Sequence, residues 1–122
     1  MSMAQHTYEY GVLLPHFGSQ ATRERVVEAS KQLEDYGFDS VWVRDHLVFE
    51  PHVYEEQDNT FVDPIVALSA IAAVTSNITL ATGSLIPHRH PIHLALLAGS
   101  LEFIARWMGC RCGINEPVAS VI

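Results

Sequence analysis

Three ionisable side chains, Arg44, Asp45 and His46, stand directly after the apolar run Val41-Trp42-Val43. A short β-branched and aromatic run of this kind has the make-up of a strand covered on both faces. The three polar groups therefore fall at the strand's C-terminal end, where parallel α/β folds bind ligands and do chemistry. An imidazole placed there, His46, can donate to a substrate oxygen or move a proton near neutral pH. Asp45 alternates to the other face of the strand and need not touch the same ligand. It is equally placed to pair with Arg44 or to brace the next loop. His46 and Asp45 are the candidate catalytic residues. His16 and Phe17, in the turn after an earlier strand, are candidates to line a substrate pocket on the same rim.

Two other clusters invite a metal reading. His88, His90 and His93 form H-x-H-x-x-H, and neutral imidazoles at such spacings can hold zinc. Pro91 interrupts the run, however, and no carboxylate partner lies nearby in sequence. His90-Pro91 is read more simply as a helix start, no metal is expected, and a metal-dependent hydrolase is the weakest reading. Cys110 and Cys112 are separated by one residue, which disfavours a disulfide, and two thiolates are too few for a structural zinc. Two reduced thiols in a reducing compartment are expected.

The elements that must position these groups can be taken in order. Tyr8 to Pro15 reads as a first strand, followed by the turn Pro15-His16-Phe17-Gly18-Ser19-Gln20. A helix is predicted from about Ala21 to Tyr36, with Val26, Ala29, Leu33 and Tyr36 as its inward stripe and Gly37 as its left-handed stop. The second strand follows, and then a long polar loop, Val48 to Phe61, of a length more often functional than idle. Its acidic run, Glu55 to Asp58, reads as solvated surface.

Asp63-Pro64 is a helix start, with aspartate at the N-cap and proline at the first helical position, and this helix is predicted to run to about Ser76. Ile78 to Thr82 is the third strand. Pro91 opens a third helix, with Leu94, Leu97, Leu101 and Ile104 repeating at helical spacing. After Ala105 the periodicity decays. Residues 1–105 are therefore read as the folded part and 106–122 as an irregular tail.

With 122 residues the chain supports at most one domain, and 48% apolar against 17% charged residues is a globular composition. A net charge of −7 and a pI near 5.3 argue against nucleic acid or an anionic membrane surface as partner. No apolar run approaches the roughly 18 to 20 residues of a membrane span. No secretory signal is visible over Met1 to Tyr10, so a cytoplasmic setting is expected.

The strand–helix alternation without hairpin signals gives an α/β class with parallel strands. The turn after the first strand carries one glycine rather than G-x-G-x-x-G, and no G-x-x-x-x-G-K is present, so phosphate-cradling sheets are disfavoured. What remains is the start of a (β/α)8 TIM barrel, its first three βα units, against about 250 residues for a closed barrel.

From Tyr10 to Phe103 the chain resembles the N-terminal part of the luciferase-like monooxygenase superfamily, barrel enzymes dependent on flavin or the deazaflavin coenzyme F420. Gly11-Val12-Leu13-Leu14-Pro15 carries the likeness on the first strand, and Gly37-Phe38-Asp39-Ser40-Val41-Trp42-Val43-Arg44-Asp45-His46 on the second. Ile78-Thr79-Leu80-Ala81-Thr82-Gly83-Ser84, running on to Arg89-His90-Pro91, carries it on the third. The resemblance implies an oxidoreductase or monooxygenase acting on a small organic substrate with FMN or F420. The Asp45-His46 pair is more like the F420-using branch. It implies His46 as polar partner at the ring, and Gly83, Ser84 and Leu85 as a cofactor-binding bulge with a non-prolyl cis bond at Ser84–Leu85.

The family usually continues with a Gly-Gly-Arg turn and a glycine-rich fourth strand. This chain has Ala105-Arg106-Trp107-Met108-Gly109-Cys110-Arg111-Cys112 instead. The expectation is a truncated or frameshifted copy that binds flavin poorly alone and is inactive. Its open sheet edges favour homo-oligomers, or a non-catalytic module that self-associates.

Overall fold

A computed structural model describes residues 8–48, 57–105 and 111–112 of the chain. Four parallel strands form one open sheet in the order β1 (Gly11–Leu13), β2 (Ser40–Val43), β3 (Thr79–Thr82) and β4 (Arg111–Cys112). A helical segment ending in α1 (Ala29–Asp35) joins β1 to β2. Helix α2 (Pro64–Ala72) joins β2 to β3, and α3 (Pro91–Ile104) follows β3. The α/β class and the parallel strands are as the sequence implied. Strand β4 lies within the segment read as irregular. It is only two residues long, too short to leave a period-2 pattern, and it pairs Ala81 with Arg111 and Thr82 with Cys112.

Register divides the sheet into two faces. Val12, Val41 and Leu80 are aligned across the strands, as are Leu13, Trp42 and Ala81. On the first face, Leu14, Val41, Val43 and Leu80 pack with Val26, Ala67, Leu68, Ile71, Ala72 and Leu101, and this is the core. On the second face Leu13 is 52% exposed and Trp42 is half-buried. The sequence run looked like a strand covered on both sides with Trp42 in the core. Alternation instead sends the indole to the open face. There it lies across Gly11, where an added Cβ would come within 2.5 Å of Trp42 Nε1 and Ser40 Oγ.

Local signals act where they were expected. Gly37 adopts φ +85°, its N–H bonds to Glu34 O and that of Phe38 to Leu33 O, a Schellman close to α1. Asp63 Oδ1 accepts from the N–H groups of Ile65 (2.8 Å) and Val66 (3.3 Å), with Pro64 at the first helical position. The stripes are less accurate. Tyr36 is the C-cap and is 77% exposed. It lies about 80° round the helix from Val26 at about 100° per residue. The turn Glu24–Glu28 is a π-helix, and Ser30 is the buried residue after it, its hydroxyl donating to Val26 O. On α3, Leu101 is buried, followed by Ala105, whereas Leu97 and Ile104 are exposed. The inward line is Leu94, Ala98, Leu101 and Ala105.

Candidate active site at the strand tips

Beyond Val43 the alternation of β2 continues. Asp45 is buried on the helix-covered side, while Arg44 and His46 lie half-buried on the other. The strand thus delivers its two candidate catalytic groups to different places.

Asp45 is held in a polar clamp. Its Oδ2 accepts from the Ile86 N–H at 2.9 Å and from Arg89, whose second guanidinium nitrogen lies 3.3 Å from Asp45 Oδ1 and 2.6 Å from Asp63 Oδ2. Arg89 therefore ties three segments together: the end of β2, the N-cap of α2 and the loop after β3. Burial works to raise the Asp63 pKa. Arg89 and the amides of Val66 and Ile65 outweigh it, and the group sits below the usual carboxylate range. Of the two roles weighed for Asp45 outside catalysis, bracing the loop is what the contacts display, with Arg89 rather than Arg44 as the cation.

His16 is fully buried and bonded at both nitrogens, its Nε2 2.8 Å from the Arg44 N–H and its Nδ1 3.0 Å from Val62 O. A backbone N–H can only donate, so Nε2 is the bare nitrogen and Nδ1 carries the hydrogen given to Val62. Burial is the main cause holding the ring below its ordinary pKa. The bond to Val62 O opposes this, and the Arg44 charge adds to it. The side chain predicted to line a substrate pocket is thus occupied between β2 and the segment before α2. The imidazole is closed off because those two segments meet there.

That segment pairs with the turn after β1. Val62 N donates to His16 O, Gly18 N to Thr60 O, and Phe17 and Phe61 form an antiparallel bridge. The result is an aromatic cluster on the rim. Phe61 packs against His46 edge-on at 5.6 Å and against His16 at 5.0 Å, and the Arg44 guanidinium lies 3.7 Å over the Phe17 ring. Sequence reasoning placed His46 and Phe17 on this rim and missed Phe61 and Arg89. Phe61 carried no signal, being the last residue of a polar loop. Arg89 was visible as a cation between two histidines and as part of the third-strand likeness, with no role attached to it.

Gly83, Ser84 and Leu85 leave β3 beside the tip of β2. Gly83 N donates to Val43 O at 2.9 Å, and the buried Thr82 hydroxyl bonds Ser84 O at 2.7 Å. The cis bond that the resemblance implied at Ser84–Leu85 is absent, since every described peptide bond is trans. His90 accepts from Ile92 N as the N-cap of α3. Among the described residues no group of three or more His, Cys, Asp or Glu side chains is arranged to hold a metal, and no helix is long and apolar enough to cross a membrane. Gln57 is exposed and Asp58 half-buried, while Glu55, Glu56 and the tail beyond Cys112 lie outside the described residues.

An open parallel sheet with polar groups gathered at its C-terminal rim is an α/β scaffold consistent with part of a (β/α)8 barrel. The profile of the luciferase-like monooxygenase family matches residues 6–106, and the chain belongs to that family. Among solved structures it is similar to the oxygenating constituent of 3,6-diketocamphane monooxygenase from the CAM plasmid of Pseudomonas putida. That protein is a type II Baeyer–Villiger monooxygenase solved in complex with FMN (TM-score 0.64, 23% identity, 89% of this chain and 30% of that one). It is also similar to monooxygenase RslO1 from Streptomyces bottropensis (TM-score 0.62, 25% identity, 84% of this chain and 32% of that one). The chain thus spans about a third of the length of these structures. A comparison with curated protein sequences gave no match.

Proposed function

We propose that this chain provides the ring-facing part of a flavin or deazaflavin site in a luciferase-like oxidoreductase that acts on a small organic substrate. The observation that carries the reading is the pairing of two neighbouring parallel strand tips. His46 stands on one, and Gly83 to Leu85 leave the other, joined to it by the Gly83–Val43 hydrogen bond. Gly83 leaves room at that place: it is exposed, and a Cβ on it would meet nothing closer than Val43 O at 3.9 Å. A flat ring system fits over such a surface, with the His46 imidazole as hydrogen-bond partner at its edge. FMN and coenzyme F420 share that ring shape, so both belong to the proposed cofactor class. When bound, either supplies hydride transfer, and a reduced flavin also supplies oxygen activation.

In this reading His46 orients the ring and can hold or move a proton there. Asp45, through Arg89, fixes the loop that carries the bulge and is a positioning residue. Phe17 shapes the substrate side of the rim, and His16 supports it from behind. In this reading the ring carries the affinity. The chain alone is proposed to bind weakly, to be inactive by itself, and to act in the cytoplasm.

Titration followed by flavin fluorescence tests this. Lumiflavin and FMN should bind equally weakly, and His46→Ala should weaken both by about tenfold, or 1.4 kcal/mol. Purification of a yellow protein carrying stoichiometric FMN would overturn the proposal of a phosphate-independent, weak site.

Exposed surface favours a second reading, a module that pairs with another copy of itself. The outer edge of β1 has no strand partner among the described residues, and Ile92, Leu96, Phe103 and Ile104 are all exposed on α3. Size-exclusion chromatography should show a dimer or larger species. A clean monomer contradicts this second reading and leaves the first intact.

A further inference from the structure

We propose that His16 is a positioning residue for the strand-tip rim, and that protonation of its ring releases the β1 turn from the tip of β2 and from residues 60–62. The inference goes beyond the flavin reading and holds whether or not the chain binds a cofactor. Its basis is the double hydrogen bond: Nε2 receives the Arg44 N–H, and Nδ1–H is given to Val62 O. These two bonds, with Val62 N to His16 O, fasten three segments that have no helix or strand in common. Arg44 and His46 flank the fastened backbone, so this joint acts beside the Gly18–Thr60 bond and the Phe17–Phe61 bridge in fixing the rim cluster.

A second proton can go only to Nε2, which would set an imidazolium N–H against the Arg44 N–H. Two donors face to face cannot share a bond, and the joint must open for the cation to exist. Among the described residues, the charged groups that bear on His16 directly follow β2: Arg44 and His46 resist the proton and Asp45 favours it. From the other side it meets the rings of Phe17 and Phe61 and the backbone of Val62, none of them ionisable. Burial adds to the resistance, so the folded ring titrates below the unfolded value of 6.5. The sign follows: the contribution of the joint to stability is complete above that value and is lost as pH falls below it.

The test uses the wild-type chain labelled with 15N-histidine, together with amide hydrogen exchange. At about pH 7.5, His16 should show the Nδ1–H tautomer and the Arg44 and Val62 amides should be protected. At about pH 5 their protection, corrected for intrinsic exchange, should fall about tenfold or more, while the Ile78 amide is unchanged. His16→Gln offers an acceptor and a donor without titrating, and should keep protection at both pH values. An Nε2–H tautomer in the wild type, or the same acid loss in the glutamine variant, overturns the proposal. If His16→Gln does not fold, the wild type decides. Amide loss must follow the titration of the His16 ring itself, and a different midpoint overturns the inference.

Discussion

At the N-terminal end of β3, one carboxylate holds a chain crossing, whereas the C-terminal end of the same sheet uses an imidazole, a guanidinium and two carboxylates. Glu34 Oε1 accepts from three successive amides, Ser76 (2.7 Å), Asn77 (2.5 Å) and Ile78 (3.0 Å), and Lys31 bonds its other oxygen. Burial works against the charge, yet the amides and Lys31 prevail and bring the Glu34 pKa down to about 2. That joint stays charged through the whole physiological range. The opposite rim instead relies on a buried ring that burial holds below the ordinary histidine pKa, and on an aspartate whose side chain has no exposed surface.

The difference can be broken first at Arg89. Replacing it by methionine leaves the Asp45 carboxylate buried without its cation, and loss of one partner of such a pair costs about 3 kcal/mol or more. Urea denaturation of Arg89→Met should show this drop, and Asp45→Asn in the same chain should recover much of it. A single variant within about 0.5 kcal/mol of wild type would mean that the clamp does not hold the rim.

Glu34→Gln is expected to have a somewhat smaller effect, roughly 2–3 kcal/mol at neutral pH. The contribution of Glu34 is present above its unfolded pKa of 4.5 and is lost as pH falls toward about 2. Wild-type stability should therefore decline through that window, and the glutamine variant should decline less. Parallel acid limbs for the two proteins would remove Glu34 from the account and erase the contrast between the rims.

Most of what the sequence made legible was local. Gly37, Asp63-Pro64 and Pro91 each mark a helix boundary through their own backbone chemistry, and each boundary lies where those residues put it. The βα order and the placing of His46 at a strand tip followed from the same signals. What stayed hidden depends on contacts between distant residues. His16 meets Val62 and Arg44, Phe17 meets Phe61, and Arg89 reaches Asp45 and Asp63. No periodicity encodes such meetings. Tyr36, Leu97 and Ile104 were misassigned for a related reason: apolar residues at the edge of a helical stripe face the core only if a neighbouring element covers that edge. The resemblance supplied the purpose proposed for the rim, which residue types alone left open between an imidazole with a ligand and a solvated turn.

The central claim is that the tips of β2 and β3 form one ring-binding surface. Amide chemical-shift mapping of the chain titrated with lumiflavin tests it most directly. The account predicts perturbations concentrated at residues 44–47 and 83–86, with residues 76–78 at the opposite rim silent. Shifts confined to α3 or to the opposite rim, or no saturable shifts at all, would contradict it.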